Sequence, residues 1–333
     1  MKNKLWILML CFSCLFLFGC EEQGEDVILK KLVNEVEKSK GYHLVGEMKI
    51  QNQEDSYLYD VDVAYQNPNY FRVGLKNQMN NHEQIILKNE EGVYVLTPSL
   101  NKSFKFQSEW PYNNSQIYLL QTIVKDIKND KNKTFKETKD GYQFTSNVNF
   151  SNNPDLETQV VLFDKDLNLK EIEIKNANDQ TEMKLTVKKL DKKATFQNSY
   201  FSLKENMTVA NEEETTESVS TIEDIIYPMY IPANTHLENQ EKVSTSFGER
   251  IIETFGGERP FTFVQETAVV EKEHLTIPVY GEPSLISGTI GAVSDTSVSW
   301  MSDGMEYYVV SDVLSEEELL EVANSISVMP VGK

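Results

Sequence analysis

From Tyr42 the chain alternates. YHLVGEMKIQ, SYLYDVDVAYQ, NYFRVGLKN, EQIILKN, GVYVLTP and KSFKFQS each place apolar and polar residues in turn or nearly so, the period of a strand with one face buried. Asn-Pro, Asn-Gln-Met-Asn-Asn, Glu-Glu-Gly and Pro-Ser-Leu-Asn separate them. Such turn residues at intervals of roughly 8–12 mark an antiparallel meander. In the second of these runs Val61, Val63 and Tyr65 share one face, and Asp60, Asp62 and Ala64 share the other. Pro68 and Pro98 stop strands, because proline has no N–H for a ladder.

Helical periods flank the meander. Before it, DVILKKLVNEVEKSKGY brings Val27, Ile28, Leu32 and Val36 near one stripe, with Gly41 as the stop. After it, SQIYLLQTIVKDIKND does the same with Ile117, Leu120, Val124 and Ile127, and Asn114 or Ser115 is placed to cap it. Four further strands follow: GYQFTSNVNF, LETQVVLFDK, LKEIEIKN and EMKLTVKKLD. Asp164, Asp166 and Asn168 form a turn, and ATFQNSYFSL closes the segment.

Residues 205–221 are rich in Glu, Ser and Thr and poor in apolar residues, the composition of a linker. A second segment, 222–333, begins with the strand-like DIIYPMYIP. It continues through ERIIETFG, PFTFVQETAVV, GTIGAVS, SVSWMSD and MEYYVVSD. Asp303-Gly304 signals a hairpin. Ser315 followed by Glu318 reads as a capping box that opens a final helix with Leu319, Leu320, Val322, Ala323 and Ile326 on its apolar face.

The N-terminus is of another kind. Lys2 and Lys4 precede the apolar run Leu5–Phe18, too short to span a bilayer, which needs about 20 helical residues. It has the form of a signal peptide, residues 1–19. Leu17-Phe18-Gly19-Cys20 resembles the lipobox of bacterial lipoproteins, although Phe18 is bulkier than usual. That resemblance implies cleavage before Cys20, a lipid on its sulfur and residues 20–26 as a tether. The localisation it implies is the cell membrane, lipid-anchored on the extracytoplasmic face. Cys11 and Cys14 would leave with the signal. No cysteine pair then remains for a disulfide framework or a thiolate metal site.

Composition excludes some functions. The net charge of −20 becomes −22 without Lys2 and Lys4, and such a surface repels nucleic acid and anionic headgroups. The four histidines, 43, 82, 236 and 274, form no HExxH or HxH pattern, so no metal ligand set is assigned. GxSxG, P-loop and GxGxxG motifs are absent. Neither a cofactor nor an enzymatic activity is expected. Aromatic residues at strand spacing stand out instead. Tyr65, Phe71, Tyr94, Phe104, Phe106 and Trp110 are candidates to line an apolar cleft on one sheet face, and core packing explains them as well.

The order of elements resembles the LolA-like half-barrel shared with the sensor RseB. The residues that carry the likeness are NPNYFRVGLKN and ILKNEEGVYVLTPSLNKSFKFQSEWPYN. Residues 42–204 are similar to LolA-like lipoproteins of spore-forming Gram-positive bacteria, some of them sporulation- or germination-related. VSWMSDGMEYYVVSDVLSEEELLEVANSI is similar to the small C-terminal domain of RseB-like chains. The resemblance implies a mostly β fold. An incomplete antiparallel barrel over 27–204 would be covered by helices, and a smaller α+β domain would occupy 222–333. It also implies a non-enzymatic protein that binds an envelope or spore-cortex protein, or alternatively acyl chains.

Overall fold

The computed structural model describes residues 24–52, 55–150, 153–208, 221–245, 248–271 and 273–326. Residues 1–19, expected to be a signal peptide, Cys20, and residues 209–220 of the expected acidic linker lie outside the described residues.

Helix α1 (Glu25–Glu37) opens the described chain, with Glu25 and Asp26 in its first turn, where carboxylates favour the N-terminal end of the helix dipole. It leads into β1 (Gly41–Asn52), β2 (Asp55–Gln66), β3 (Tyr70–Asn77), β4 (Glu83–Asn89), β5 (Gly92–Thr97) and β6 (Lys102–Phe106), each antiparallel to the next. Helix α2 (Leu120–Asn129) follows. Next come β7 (Thr134–Glu137), β8 (Gly141–Asn147), β9 (Leu156–Asp164), β10 (Leu169–Asn176) and β11 (Thr181–Asp191). β11 pairs with β1, which joins both meanders into one sheet. The sheet is open: its two end strands do not meet.

Its inner face follows from the alternation. The facing pairs Tyr42–Tyr65, Leu44–Val63 and Met48–Tyr59 continue into Tyr65–Phe71, Val63–Val73 and Val61–Leu75. These pack with Ile28 and Leu32 of α1 and with Ile123, Val124 and Ile127 of α2 in one core. A bulge at Val45/Gly46 bends β1 against β11. Gly46 lies so close to β11 that a Cβ there would stand 2.6 Å from the Thr186 carbonyl oxygen.

Some local expectations change. Gly41 begins a strand rather than ending the helix, and α1 stops at Glu37. Helix α2 starts at Leu120 with no side-chain cap. Ser115, read as a cap, instead donates from Oγ to Asp126 at 2.6 Å and accepts from the Asn149 amide at 2.8 Å. The short strand β7 had no signal of its own. Residues 194–203, which close the first segment, run on beyond β11. They lead through a tight turn at Asn198–Phe201 into α3 (Leu203–Thr208), whose Asn206 and Met207 are buried. This segment covers the outer face, where Phe201 and Met207 pack on Ala64, Ile85, Leu87, Tyr94 and Leu96. That cover is why β4 and β5 are apolar on both faces.

The second sheet contains β12 (Thr235–Thr245), β13 (Gly248–Gly257), β14 (Phe261–Thr267), β16 (Glu282–Ile286), β17 (Thr289–Ser294), β18 (Ser297–Ser302) and β19 (Met305–Val310). Their order is β12-β13-β14-β19-β18-β17-β16. Asp303 and Gly304 both take positive φ, 50° and 75°, as the β18–β19 hairpin turn requires. Helix α4 (Glu316–Asn324) begins with the complete Ser315/Glu318 capping box. Its Leu319, Leu320, Val322 and Ala323 pack on Phe255, Phe263, Trp300 and Tyr307. Residues 224–232 are not a strand, since Pro228 and Pro232 cannot donate to a ladder. They form a strap across the sheet. The Gln265 side chain holds the strap by accepting from the Ile226 amide and donating to the Ile226 carbonyl.

β15 (Leu275–Val279) leaves the second segment and joins the first sheet, pairing parallel to β6. The half-barrel sheet therefore has twelve strands among the described residues, and one comes from the C-terminal part.

Candidate functional site

Four of the six candidate aromatics come together on the inner face. Tyr65 and Phe71 have ring centroids 4.9 Å apart, and Phe71 meets Trp110 edge-on at 5.8 Å. Tyr65, Phe71, Phe106 and Trp110 are all buried, none more than 6% exposed. Tyr42, at the bottom of this cluster, donates to Gln121 at 2.9 Å, and burial pushes its phenol far up. The face that they line is filled by α1 and α2.

Tyr94 does not belong with them. It points to the outer face among Ile85, Leu87 and Leu96, with the Lys105 ammonium 5.4 Å above its ring. Alternation could not place it, because β5 is buried on both sides. Phe104 is partly buried at the border of the core. With Val95, Phe106, Gln84, Ile290, Trp300 and Tyr308 it encloses a cavity of about 30 Å³ between the two sheets. That is room for one water-sized group, far below the roughly 300–1,000 Å³ of ligand pockets.

The seam between the sheets is where sequence reasoning was silent. The Gln84 amide reads the start of β17: its Oε1 accepts from Thr289 Oγ1 at 2.6 Å and from the Ile290 amide at 2.7 Å, and its Nε2 donates to the Ile290 carbonyl at 2.9 Å. Lys102 and Glu306 form a buried ion pair, their side chains 7% and 9% exposed, and Tyr308 donates to the same carboxylate at 2.7 Å. Asn80 donates to Asp303 at 2.9 Å. Gly288 has φ +76° and lies against the Tyr57 ring, where a Cβ would be 2.7 Å from ring carbons. Ile290 and Ala292 enter the half-barrel core, while Val293 of the same strand faces the other core. The only sequence signal was GTIGAV, apolar without alternation, as a strand covered on both faces must be.

The outer face carries a polar clasp. Arg72 donates to Asn206 at 2.7 Å and to Glu83 at 3.3 Å, and stands 5.8 Å from the Tyr200 ring. His43 lies 2.8 Å from Asp62. These contacts hold the 196–208 segment down. Beside it, Glu91, Asn101, Leu203, Met207 and His274 border an open groove of about 410 Å³. Ser103 is 2.9 Å from His274 in a hydroxyl–imidazole contact, but Ser103 is fully buried and also bonded to Thr276. The contact anchors β15 and leaves no exposed nucleophile. Among the described residues no group of three or more His, Cys, Asp or Glu converges to hold a metal ion. No helix among them is long and apolar enough to cross a membrane.

An open antiparallel sheet filled by helices, docked to a second, smaller sheet with its own helix, defines a mostly β protein built as an open half-barrel with a C-terminal unit. Its sequence places it more narrowly. The chain is 34% identical over 328 residues to the sporulation protein YdcC of Bacillus subtilis, spanning 97% of both chains, and belongs to the YdcC family. No protein-family model matches it. The crystal structure of MucB is similar at 12% identity, with 91% of this chain and 98% of that one covered and a TM-score of 0.35. A LolA superfamily protein of Nitrosomonas europaea is similar at 7% identity, with 53% and 98% covered and a TM-score of 0.31. At such scores neither likeness adds to the fold assignment, which stands on the sheet orders.

Proposed function

We propose that the chain is a membrane-tethered, non-enzymatic lipoprotein that acts in sporulation by docking a protein partner of the cell envelope or spore cortex on its surface. The observation that carries this reading is the closed interior. The aromatic face that would hold an acyl chain is occupied by α1 and α2, and the cavity beside Phe104 is about 30 Å³. Interior lipid carriage is accordingly the weaker reading, and binding falls to the outside. Membership of a family with a sporulation protein supports the process. The lipobox-like Leu17–Cys20 supports the tether, with two or three acyl chains anchoring firmly at about 0.8 kcal/mol per buried CH₂.

Two measurements test it. The Cys20→Ala chain is expected to leave the membrane fraction and to lose incorporation of labelled palmitate; unchanged partition would remove the tether from the account. Deletion of the gene is expected to impair spore formation or cortex assembly, and the chain to co-purify with an envelope protein from sporulating cells. Normal spores together with no captured partner would overturn the reading.

A further inference from the structure

The charge of this chain is unevenly shared. Residues 27–204 carry 25 basic and 24 acidic side chains, a net of +1. Residues 222–326 carry 19 acidic side chains against four basic ones, Lys242, Arg250, Arg259 and Lys272, a net of −15. The acidity of the protein is therefore largely a property of its C-terminal unit.

On that unit the strap turns apolar residues outward. Tyr227 is 48% exposed, Met229 79%, Tyr230 38% and Ile231 40%. Pro228 and Pro232 are buried beneath them, and the Met229 amide donates to the Ser325 carbonyl at the end of α4. The strip is thus held in place. It lies along the acidic side of α4: the Glu321 carboxylate beside Tyr230 pushes its phenol up, and exposed Glu317 is one turn away on the same helix face. Arg259 pairs with Glu318, which leaves Glu317 without that cation. Contiguous exposed apolar side chains with a charged rim mark a binding surface. The sign of the rim selects the occupant, since anionic membranes are repelled and cationic segments attracted.

We infer that the strap Tyr227–Ile231 and the adjoining acidic face of α4 form the docking surface for a basic amphipathic segment of the partner protein. The inference rests on the partner-binding reading above. The apolar strip takes the apolar face of that segment, and Glu317 and Glu321 meet its Lys or Arg residues. The complementarity raises the encounter rate and fixes the register, while the apolar contacts set the residence time.

The probe is a fluorescent 14-residue Leu/Lys amphipathic peptide, titrated against the Cys20→Ser chain by anisotropy. Binding is expected that weakens with salt. Replacing two exposed apolar side chains, Met229→Ser with Ile231→Ser, is expected to weaken it about tenfold or more, the effect of losing central apolar contacts. The melting temperature should not change, because neither side chain is buried. Glu317→Lys should weaken binding independently. Equal binding by the Met229/Ile231 variant would reduce the effect to general charge attraction and overturn the inference. So would binding of phosphatidylglycerol vesicles with the peptide excluded. If removal of residues 327–333 were required before the peptide bound, the strip would belong to the chain's own tail and the proposal would fall. Capture of the envelope partner separates the two levels. A Met229/Ile231 variant that still captures it fully would sink this surface and leave the proposed function standing.

Discussion

Consider Lys102→Met. The Lys102 and Glu306 side chains are 7% and 9% exposed, so each charge is compensated mainly by the other. Removing one member of a buried pair strands its partner in a poorly hydrated site, at a cost of about 3–5 kcal/mol. Here the Tyr308 hydroxyl still donates to Glu306 at 2.7 Å. One such bond to a charged group offsets roughly 1.5–3 kcal/mol, leaving a net loss of about 1.5–2 kcal/mol. The pair removed as a unit, Lys102→Met with Glu306→Leu, strands no charge, costs only the part-buried Tyr308 hydroxyl its Glu306 acceptor, and is expected within about 1 kcal/mol of the parent. The assay is urea unfolding followed by tryptophan fluorescence. Trp110 sits in the half-barrel core and Trp300 in the second core, so Trp110→Phe and Trp300→Phe backgrounds report the two units separately. If the seam holds both units in one cooperative body, Lys102→Met lowers both midpoints together. A loss under about 1 kcal/mol, or a double variant as unstable as the single one, would refute this account of the seam.

Other consequences are narrower. Burial raises the Glu253 carboxyl above its ordinary value, against a hydrogen bond from Gln240 that lowers it. A raised carboxyl contributes stability that is full below its unfolded pKa and is lost as pH rises through the folded one. Glu253→Gln should therefore match the parent near pH 4 and melt higher near pH 7, and melting curves that separate at low pH instead would contradict this. Ser115→Ala leaves the Asn149 amide and part-buried Asp126 short of a partner, with an expected loss of about 1–3 kcal/mol in denaturant titration. Gly288→Ala must adopt φ near +76° and meet the Tyr57 ring. It should lose at least about 1–2 kcal/mol, and only part of that should return in a Tyr57→Ala background.

The legible parts of the fold were those written locally. Alternation in β1–β3 placed Val61, Val63 and Tyr65 correctly, and Ser315/Glu318 announced α4 with its cap. Turn chemistry fixed Asp164, whose side chain accepts from the amides of Asp166 and Asn168 at 2.9 and 2.8 Å. What failed depended on distant neighbours. Strand spacing groups Tyr94 with the other candidate aromatics, because nothing in GVYVLT says that residues 196–208 will cover its other side. β12, THLENQEKVST, is exposed nearly throughout, so it had no apolar period to show. β15 and β16 contain Pro278 and Pro283, which argue against strands except at an edge, and both are edge strands. The Lys102–Glu306 pair spans 204 positions, and local spacing cannot reveal such a partner.

Native mass spectrometry of the Cys20→Ser chain, purified without detergent, tests the central claim most directly. With Tyr65, Phe71, Phe106 and Trp110 buried under α1 and α2, the account predicts the bare polypeptide mass, unchanged when fatty acid is offered. A stoichiometric adduct with the mass of an acyl chain, lost when a bulkier side chain is placed on the inner face beside Phe71, would contradict it and restore the half-barrel interior as the binding site.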